Sequence, residues 1–205
     1  AGYINILDAL LGWQLVSELK AATSMASAAS FKHASPAGSA VVLALSEAER
    51  AMYFVPKTYD LSEQAAAFVR ARGADRLSSF GDFIALSDCC DESTARLVSM
   101  EVSDGIIAPS YEPEALALLQ QKRRGSYLVI QIDPLFVPPP TEQRTLFGMT
   151  LTQSRNTVVL DERVLAPVVT EHTMLPDEAK LDLLVALNTL KYTQSNSVCY
   201  AARGQ

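Results

Sequence analysis

One of the two histidines in this 205-residue sequence, His33, directly follows a lysine, Lys32. Histidine is the side chain whose ordinary proton affinity lies near neutral pH, which makes it the usual general base. A neighbouring ammonium adds a positive charge that can hold a developing oxyanion or return a proton. The pair follows an Ala- and Ser-rich stretch ending at Phe31 and precedes Ser35-Pro36-Ala37-Gly38, where the chain is expected to turn. By residue type alone a second reading stays open: Lys-His dipeptides are common, and a solvated surface pair needs no function.

Three further groups carry polar chemistry. The run from Arg70 to Phe83, with Asp75, Arg76, Phe80, Gly81 and Asp82, joins charges to a glycine turn and to aromatic residues between a helix and a strand. Such loops often line ligand sites, although a helix end followed by ion pairs would look the same. Asp104, in Ser103-Asp104-Gly105, either accepts hydrogen bonds from an amide or ring nitrogen or shapes the turn before a buried strand. The polar run Lys191-Tyr192-Thr193-Gln194-Ser195-Asn196-Ser197 stands where a strand should enter the core, so its polar groups need partners. No Gly-rich dinucleotide fingerprint, phosphate loop, nucleophile elbow or His-Glu zinc helix occurs. Cys89 and Cys90 are adjacent, no cysteine pair has metal-ligand spacing, and zinc is not expected. Both are read as small buried hydrophobes at the end of a strand.

The elements that must position these groups follow from periodicity. Leu7, Leu10, Leu11, Leu15, Val16 and Leu19 recur at helical spacing and predict a helix from Asn5, as its cap, to Ala22. A second helix is predicted from Leu61 to Ala71, stopping at Gly73. Phe83–Leu86, Gly105–Ala108 and Tyr127–Ile132 are short apolar runs, separated by helical patterns at Glu92 to Glu101 and Pro113 to Lys122. That alternation predicts an α/β fold, a layered sheet covered on both faces. Pro138-Pro139-Pro140 can continue neither a ladder nor a helix, which puts a boundary at 137/138. Beyond it the alternation at Phe147, Met149 and Leu151 predicts a half-exposed strand, with Val158 to Leu160 and Val168-Val169 extending a small sheet. Pro176 is expected to open a last helix to Lys191, giving a small α+β subdomain over 138–205.

Bulk properties narrow the partners. The net charge is −6, and the only compact basic run is Lys122-Arg123-Arg124, read as the solvated last turn of a helix, so nucleic acid is not an expected partner. With 49% hydrophobic residues the chain can build an ordinary core, yet no run nears the ~20 apolar residues of a membrane helix. The membrane is therefore not an expected partner. Three cysteines and the absence of a signal-like start predict a reducing cytosol.

Taken together, several segments resemble the AICAR transformylase domain of the bifunctional purine-synthesis enzymes that also carry IMP cyclohydrolase. They are Ile4-Asn5 to Leu19, Ala29-Ser30-Phe31-Lys32-His33 to Gly38, Arg70 to Asp88, Glu101 to Pro109, Arg144 to Gly148 and Lys191 to Ala201, in the family's order and across nearly the whole chain. The resemblance implies formyl transfer from 10-formyltetrahydrofolate to the 5-amino group of the nucleotide AICAR. It implies His33 as general base, Lys32 as the group that stabilises or protonates the tetrahedral intermediate, and Asn196 as holder of the formyl oxygen or carboxamide. Phe80, Gly81 and Asp104 look like contributors to the nucleotide and folate pocket. Potassium near Thr193 and Ser197, a homodimer in the full-length protein, and a three-layer cytidine-deaminase-like α/β/α unit over 1–137 are implied as well. On this resemblance the chain is an internal stretch, with the cyclohydrolase domain expected before Ala1 and the second half of the transformylase after Gln205. The competing expectation is a non-catalytic scaffold or partial nucleotide-binding piece of the same fold.

Overall fold

The computed structural model describes residues 2–205. The chain opens with helix α1 (Tyr3–Thr23), followed by strands β1 (Ser27–Lys32) and β2 (Ser35–Val41) and a short helix α2 (Glu47–Met52). Next come α3 (Glu63–Gly73), β3 (Asp82–Leu86), α4 (Glu92–Met100), β4 (Ser103–Ala108), α5 (Pro113–Gln121) and β5 (Leu128–Gln131). A hairpin of β6 (Thr141–Leu146) and β7 (Met149–Ser154) and a final helix α6 (Asp177–Lys191) follow, with short 3-10 turns at Lys122–Gly125 and Glu162–Leu165.

Five strands form one sheet in the order β2-β1-β3-β4-β5, with β1 antiparallel to both neighbours and β3, β4 and β5 mutually parallel. Alternate residues serve opposite faces, as a pleated strand requires. Ala28, Ile84, Leu86, Ile106 and Ala108 join the core under α3, α4 and α5. Ala29, Phe31, Phe83, Ala85 and Ile107 meet Ala9, Leu15 and Val16 of α1. Helix α6 lies on the α1 side, where Val185 packs with Leu19 and Val41. The fold is thus α/β with the sheet between helical layers, and its central strands are apolar from Phe83 to Leu86 and from Gly105 to Ala108 because both faces are covered there.

Several local expectations are corrected. The face of α1 that enters the core is Asp8, Ala9, Gly12, Leu15, Val16 and Leu19, and Leu10 is 43% exposed. Asn5 is not the cap; it sits in the first turn, and its Oδ1 accepts a hydrogen bond from the Gly2 amide. Ser35-Pro36-Ala37-Gly38 is not a turn but the start of β2, an edge strand. Pro36 is tolerated there because the register shifts between Ser30 and Phe31, so the missing amide falls at an irregularity on an edge. Phe147 belongs to the β6–β7 turn and not to a strand. Val158 to Leu160 and Val168-Val169 extend no sheet. Cys90 is buried, whereas Cys89 is exposed.

At Gly38 sheet and helix come close: a Cβ on it would lie 2.2 Å from the Ala71 carbonyl oxygen of α3. The C-terminal tail closes over the same edge. Val41 donates to the Gly204 carbonyl at 2.9 Å, and the buried Arg70 guanidinium reaches the Arg203 carbonyl and Glu49.

Candidate active site

The chemistry-bearing residues gather around the turn between β1 and β2. Its two central residues, His33 and Ala34, have φ of 56° and 58°. Two-residue hairpins favour this left-handed geometry because it matches strand twist, but they usually place Asn or Gly there, since a Cβ in that region is strained. His33 is exposed at the tip. Beneath it the Asp8 carboxylate, buried on α1, accepts the Ala34 amide at 2.6 Å. Burial pushes the Asp8 carboxyl above the ordinary carboxylate range, opposed by that amide and by the charge of His33.

Lys32 ends β1. Its ammonium donates to the Phe80 carbonyl at 2.5 Å, which leaves two of its three N–H groups free. That carbonyl belongs to a loop held from below. Arg72 of α3 donates to the carbonyls of Ser79 at 3.0 Å and Val102 at 3.1 Å and to Glu101 at 2.7 Å, and Arg76 binds the same Glu101 at 2.8 Å. The fully buried Asp82 accepts from the Ser30 hydroxyl at 2.6 Å, and Ser30 also meets Ser79 at 2.8 Å. Desolvation raises the Asp82 carboxyl to about 6 despite the Arg72 charge and the Ser30 hydrogen bond. Phe80 itself is 61% exposed, and Gly81, at φ 77°, has open space where a side chain would be.

Asp104 begins β4. Its carboxylate is held from two sides, by Arg123 at 2.8 Å and by the Asn5 side-chain amide at 3.2 Å, at the mouth of a cleft lined also by Ser126 and Leu128. The basic run 122–124 is therefore not the solvated last turn of a helix: α5 ends at Gln121, Arg123 and Arg124 adopt left-handed φ, and Arg123 is in an ion pair. Asn5 and Asp8 stand one turn apart on α1, so this helix links Asp104 to the His33 turn.

The run 191–197 supplies the last wall. The buried Lys191 ammonium binds both oxygens of Glu18, at 2.8 and 2.7 Å, and the Val158 carbonyl at 2.9 Å. Gln194 donates to the Ala34 carbonyl at 3.3 Å, docking this loop on the hairpin. Asn196, two residues on, is exposed, and among the described residues it hydrogen-bonds neither Lys32 nor His33. Thr193 and Ser197 donate their hydroxyl protons to the carbonyls of Thr189 and Gln194, leaving oxygen lone pairs free. A cleft of about 280 Å³ between this loop, the hairpin and α1 is lined by Leu11, Gln14, Ala34, Arg155, Tyr192 and Gln194 among others, and Lys32, His33 and Asn196 stand outside it. No cluster of three or more His, Cys, Asp or Glu side chains among the described residues is placed to hold a metal ion.

The fold thus brings Lys32 onto Phe80, the Asn196 loop onto the His33 turn, and Asp104 to the same end of α1. Asp8, Asn5 and Gln194 were missed as site residues. A carboxylate at a helical position whose neighbours at 9, 12, 15 and 16 are core was the one sequence signal for Asp8. The chain matches the model of the AICARFT/IMPCHase bienzyme family over residues 1–205. It belongs to that family. Among its relatives are the "Bifunctional purine biosynthesis protein PurH" of Magnetococcus marinus, 33% identical over 199 residues, and that of Sinorhizobium medicae, 32% identical over 203 residues. These alignments cover 96% and 99% of the chain and 33% and 34% of the relatives. The protein of the same name from Synechococcus sp. is 31% identical over 144 residues, 68% of the chain and 26% of that relative. This family member therefore spans about a third, or less, of the length of the relatives it matches.

Proposed function

We propose that this chain contributes part of an AICAR transformylase site to a bifunctional purine-synthesis enzyme that also carries IMP cyclohydrolase. The observation that carries the reading is the His33 corner: an exposed imidazole on a strained turn, with an ammonium tethered beside it and the Asn196 loop docked against the same turn. In the reaction the 5-amino nitrogen of AICAR attacks the formyl carbon of 10-formyltetrahydrofolate, the C–O double bond opens to an oxyanion, and the C–N10 bond then breaks. An amine conjugated to a carboxamide-bearing ring is a weak nucleophile, so His33 takes its proton as the new bond forms. A positioned base contributes typically about 10²–10⁴-fold. Lys32, with N–H groups to spare beyond the one on Phe80, faces the oxyanion, and N10 leaves with a proton. Asn196 would hold the formyl or carboxamide oxygen.

Phe80, Gly81 and Asp104 belong to the substrate walls in this proposal. The exposed Phe80 ring offers a stacking face for a pterin or purine-like ring, and the space over Gly81 lets a ligand approach the backbone. The exposure of His33, Phe80 and Asn196 supports a site covered by further protein, in keeping with a homodimer of the full-length enzyme. Thr193 and Ser197 fit a potassium ion in kind, since each is a neutral oxygen donor whose proton is already spent on a carbonyl; the ion would add a fixed charge that orders the loop. A cytosolic setting is part of this proposal; no helix among the described residues is long and apolar enough to cross a membrane.

The test is His33→Ala in the complete protein. The expected result is a loss of formyl transfer on the order of 10²–10⁴-fold, with AICAR binding by calorimetry retained. Turnover equal to the parent's would overturn the assignment.

A further inference from the structure

His33 sits on a turn that its own residue types do not favour. Neither His33 nor Ala34 is glycine or asparagine, yet they hold φ of 56° and 58°, a region in which the Cβ of an ordinary L-residue is strained. The adjoining register shift at Ser30/Phe31 leaves the strand pair itself irregular two residues before the turn. Something outside the hairpin must select this geometry.

Two side chains meet the turn: the exposed Gln194 donates to the Ala34 carbonyl at 3.3 Å, and the buried Asp8 accepts the Ala34 amide from α1. Asp8 is 5% exposed, faces the sheet from the second turn of α1, and places Oδ1 at 2.6 Å from the Ala34 amide. The charged groups that face it are His33 and Asp104. A carboxylate taken out of water at a core position is costly unless it is hydrogen-bonded, so its retention among Ala9, Gly12 and Leu15 calls for a partner that only it can satisfy. The partner is the amide next to His33.

We infer that Asp8 is a positioning residue for His33: its buried carboxylate binds the Ala34 amide and so fixes the left-handed turn that aims the imidazole. The inference rests on the general-base reading of His33. Because Asn5, one helical turn away, holds Asp104, the N-terminal half of α1 sets the spacing between the His33 turn and the Asp104 wall. Asp8 touches no substrate in this arrangement; it acts through the backbone.

In the complete protein, Asp8→Ala should lower kcat for formyl transfer on the order of 10²-fold, the usual consequence of misplacing a reacting group by about 1 Å, and leave KM for AICAR within roughly threefold. Asp8→Asn keeps an acceptor oxygen at the same reach and should recover activity to within roughly tenfold of the parent, since a neutral acceptor makes a weaker bond to the amide than a charged one. A purely structural role would lower the active fraction without separating the two variants in kcat. Parental kcat in Asp8→Ala, with His33→Ala inactive, would overturn the positioning role and leave the general base standing. Parental kcat in both alanine variants would remove the general-base reading itself. Equal loss in Asp8→Asn and Asp8→Ala would assign the effect to charge and overturn the amide contact. Should Asp8→Ala fail to fold, hydrogen exchange in the parent decides: the Ala34 amide is expected to be protected, and free exchange at that amide would refute the contact.

Discussion

Asp82 gives the most exacting test of the network under Lys32. Its carboxylate is fully buried, accepts one hydrogen bond from Ser30 at 2.6 Å, lies 3.5 Å from Arg72 Nε, and leaves Oδ1 without a partner. Desolvation is the largest influence and lifts the carboxyl from its ordinary 3.8 to about 6, against the pull of Arg72 and Ser30. A carboxyl raised in the folded state holds its proton more tightly there than in the unfolded chain. The stability tied to that proton is therefore fully present below pH 3.8 and is lost as pH rises through about 6. At about 1.4 kcal/mol per pKa unit the loss amounts to about 3 kcal/mol, most of it between about pH 4 and pH 7. Other carboxylates, such as Asp75 and Glu49, are lowered and run the opposite way, so the parent curve alone does not isolate Asp82. The Asp82→Asn variant does isolate it, because an amide does not titrate: its urea-unfolding free energy should gain about 3 kcal/mol on that of the parent across this window, on top of a constant offset from the altered Arg72 pairing. Parallel curves for variant and parent, or a carboxyl carbon resonance of Asp82 titrating near its ordinary value, would refute the reasoning.

Two packing predictions need only a melting experiment or a denaturant series. Gly38→Ala drives a methyl group to 2.2 Å from the Ala71 carbonyl and should push α3 off the sheet edge, at a cost of about 2 kcal/mol or more and a fall in Tm of roughly 4–8 °C; an unchanged Tm would show that this contact relaxes freely. Lys191→Met leaves Glu18 without its cation in a half-buried setting and should cost about 2–3 kcal/mol, less than the 3–5 kcal/mol of a fully buried pair because Glu18 keeps some solvent. Adding Glu18→Leu should restore part of that stability in a double-mutant cycle, and strictly additive losses would argue against a coupled pair. Lys32→Met should lower formyl transfer in the complete protein while leaving AICAR affinity within roughly threefold, checked by steady-state kinetics beside calorimetry, if its ammonium, tethered to the Phe80 carbonyl, meets the oxyanion as proposed.

The α/β class, the central strands β3 and β4 and helices α1, α4 and α6 were legible in the amino-acid order because their signals are local. A continuous apolar run such as Phe83–Leu86 declares a strand covered on both faces, and Leu15, Val16 and Leu19 repeat at the helical period. Lys32 and His33 stood out in the sequence as a base beside a cation, with a solvated pair left open, whereas the role proposed for Asn196 came only from the family resemblance. What the order of residues left undecided was everything that depends on a second element. Strand β2 was invisible because Pro36, Ala37 and Gly38 carry no strand propensity of their own; pairing with β1 and the close approach of α3 impose the conformation. The turn at His33 and Ala34 shows no glycine or asparagine, and its left-handed geometry stands with a carboxylate 26 residues away on α1. Arg123 reads in sequence as one of three solvated cations, and only the fold sets it against Asp104, 19 residues back. Sequence spacing reports what a residue does to its own helix or strand. The partner of a buried charge is chosen by which surfaces the layers bring within 3 Å, and that choice exists only after the sheet and α1 have packed.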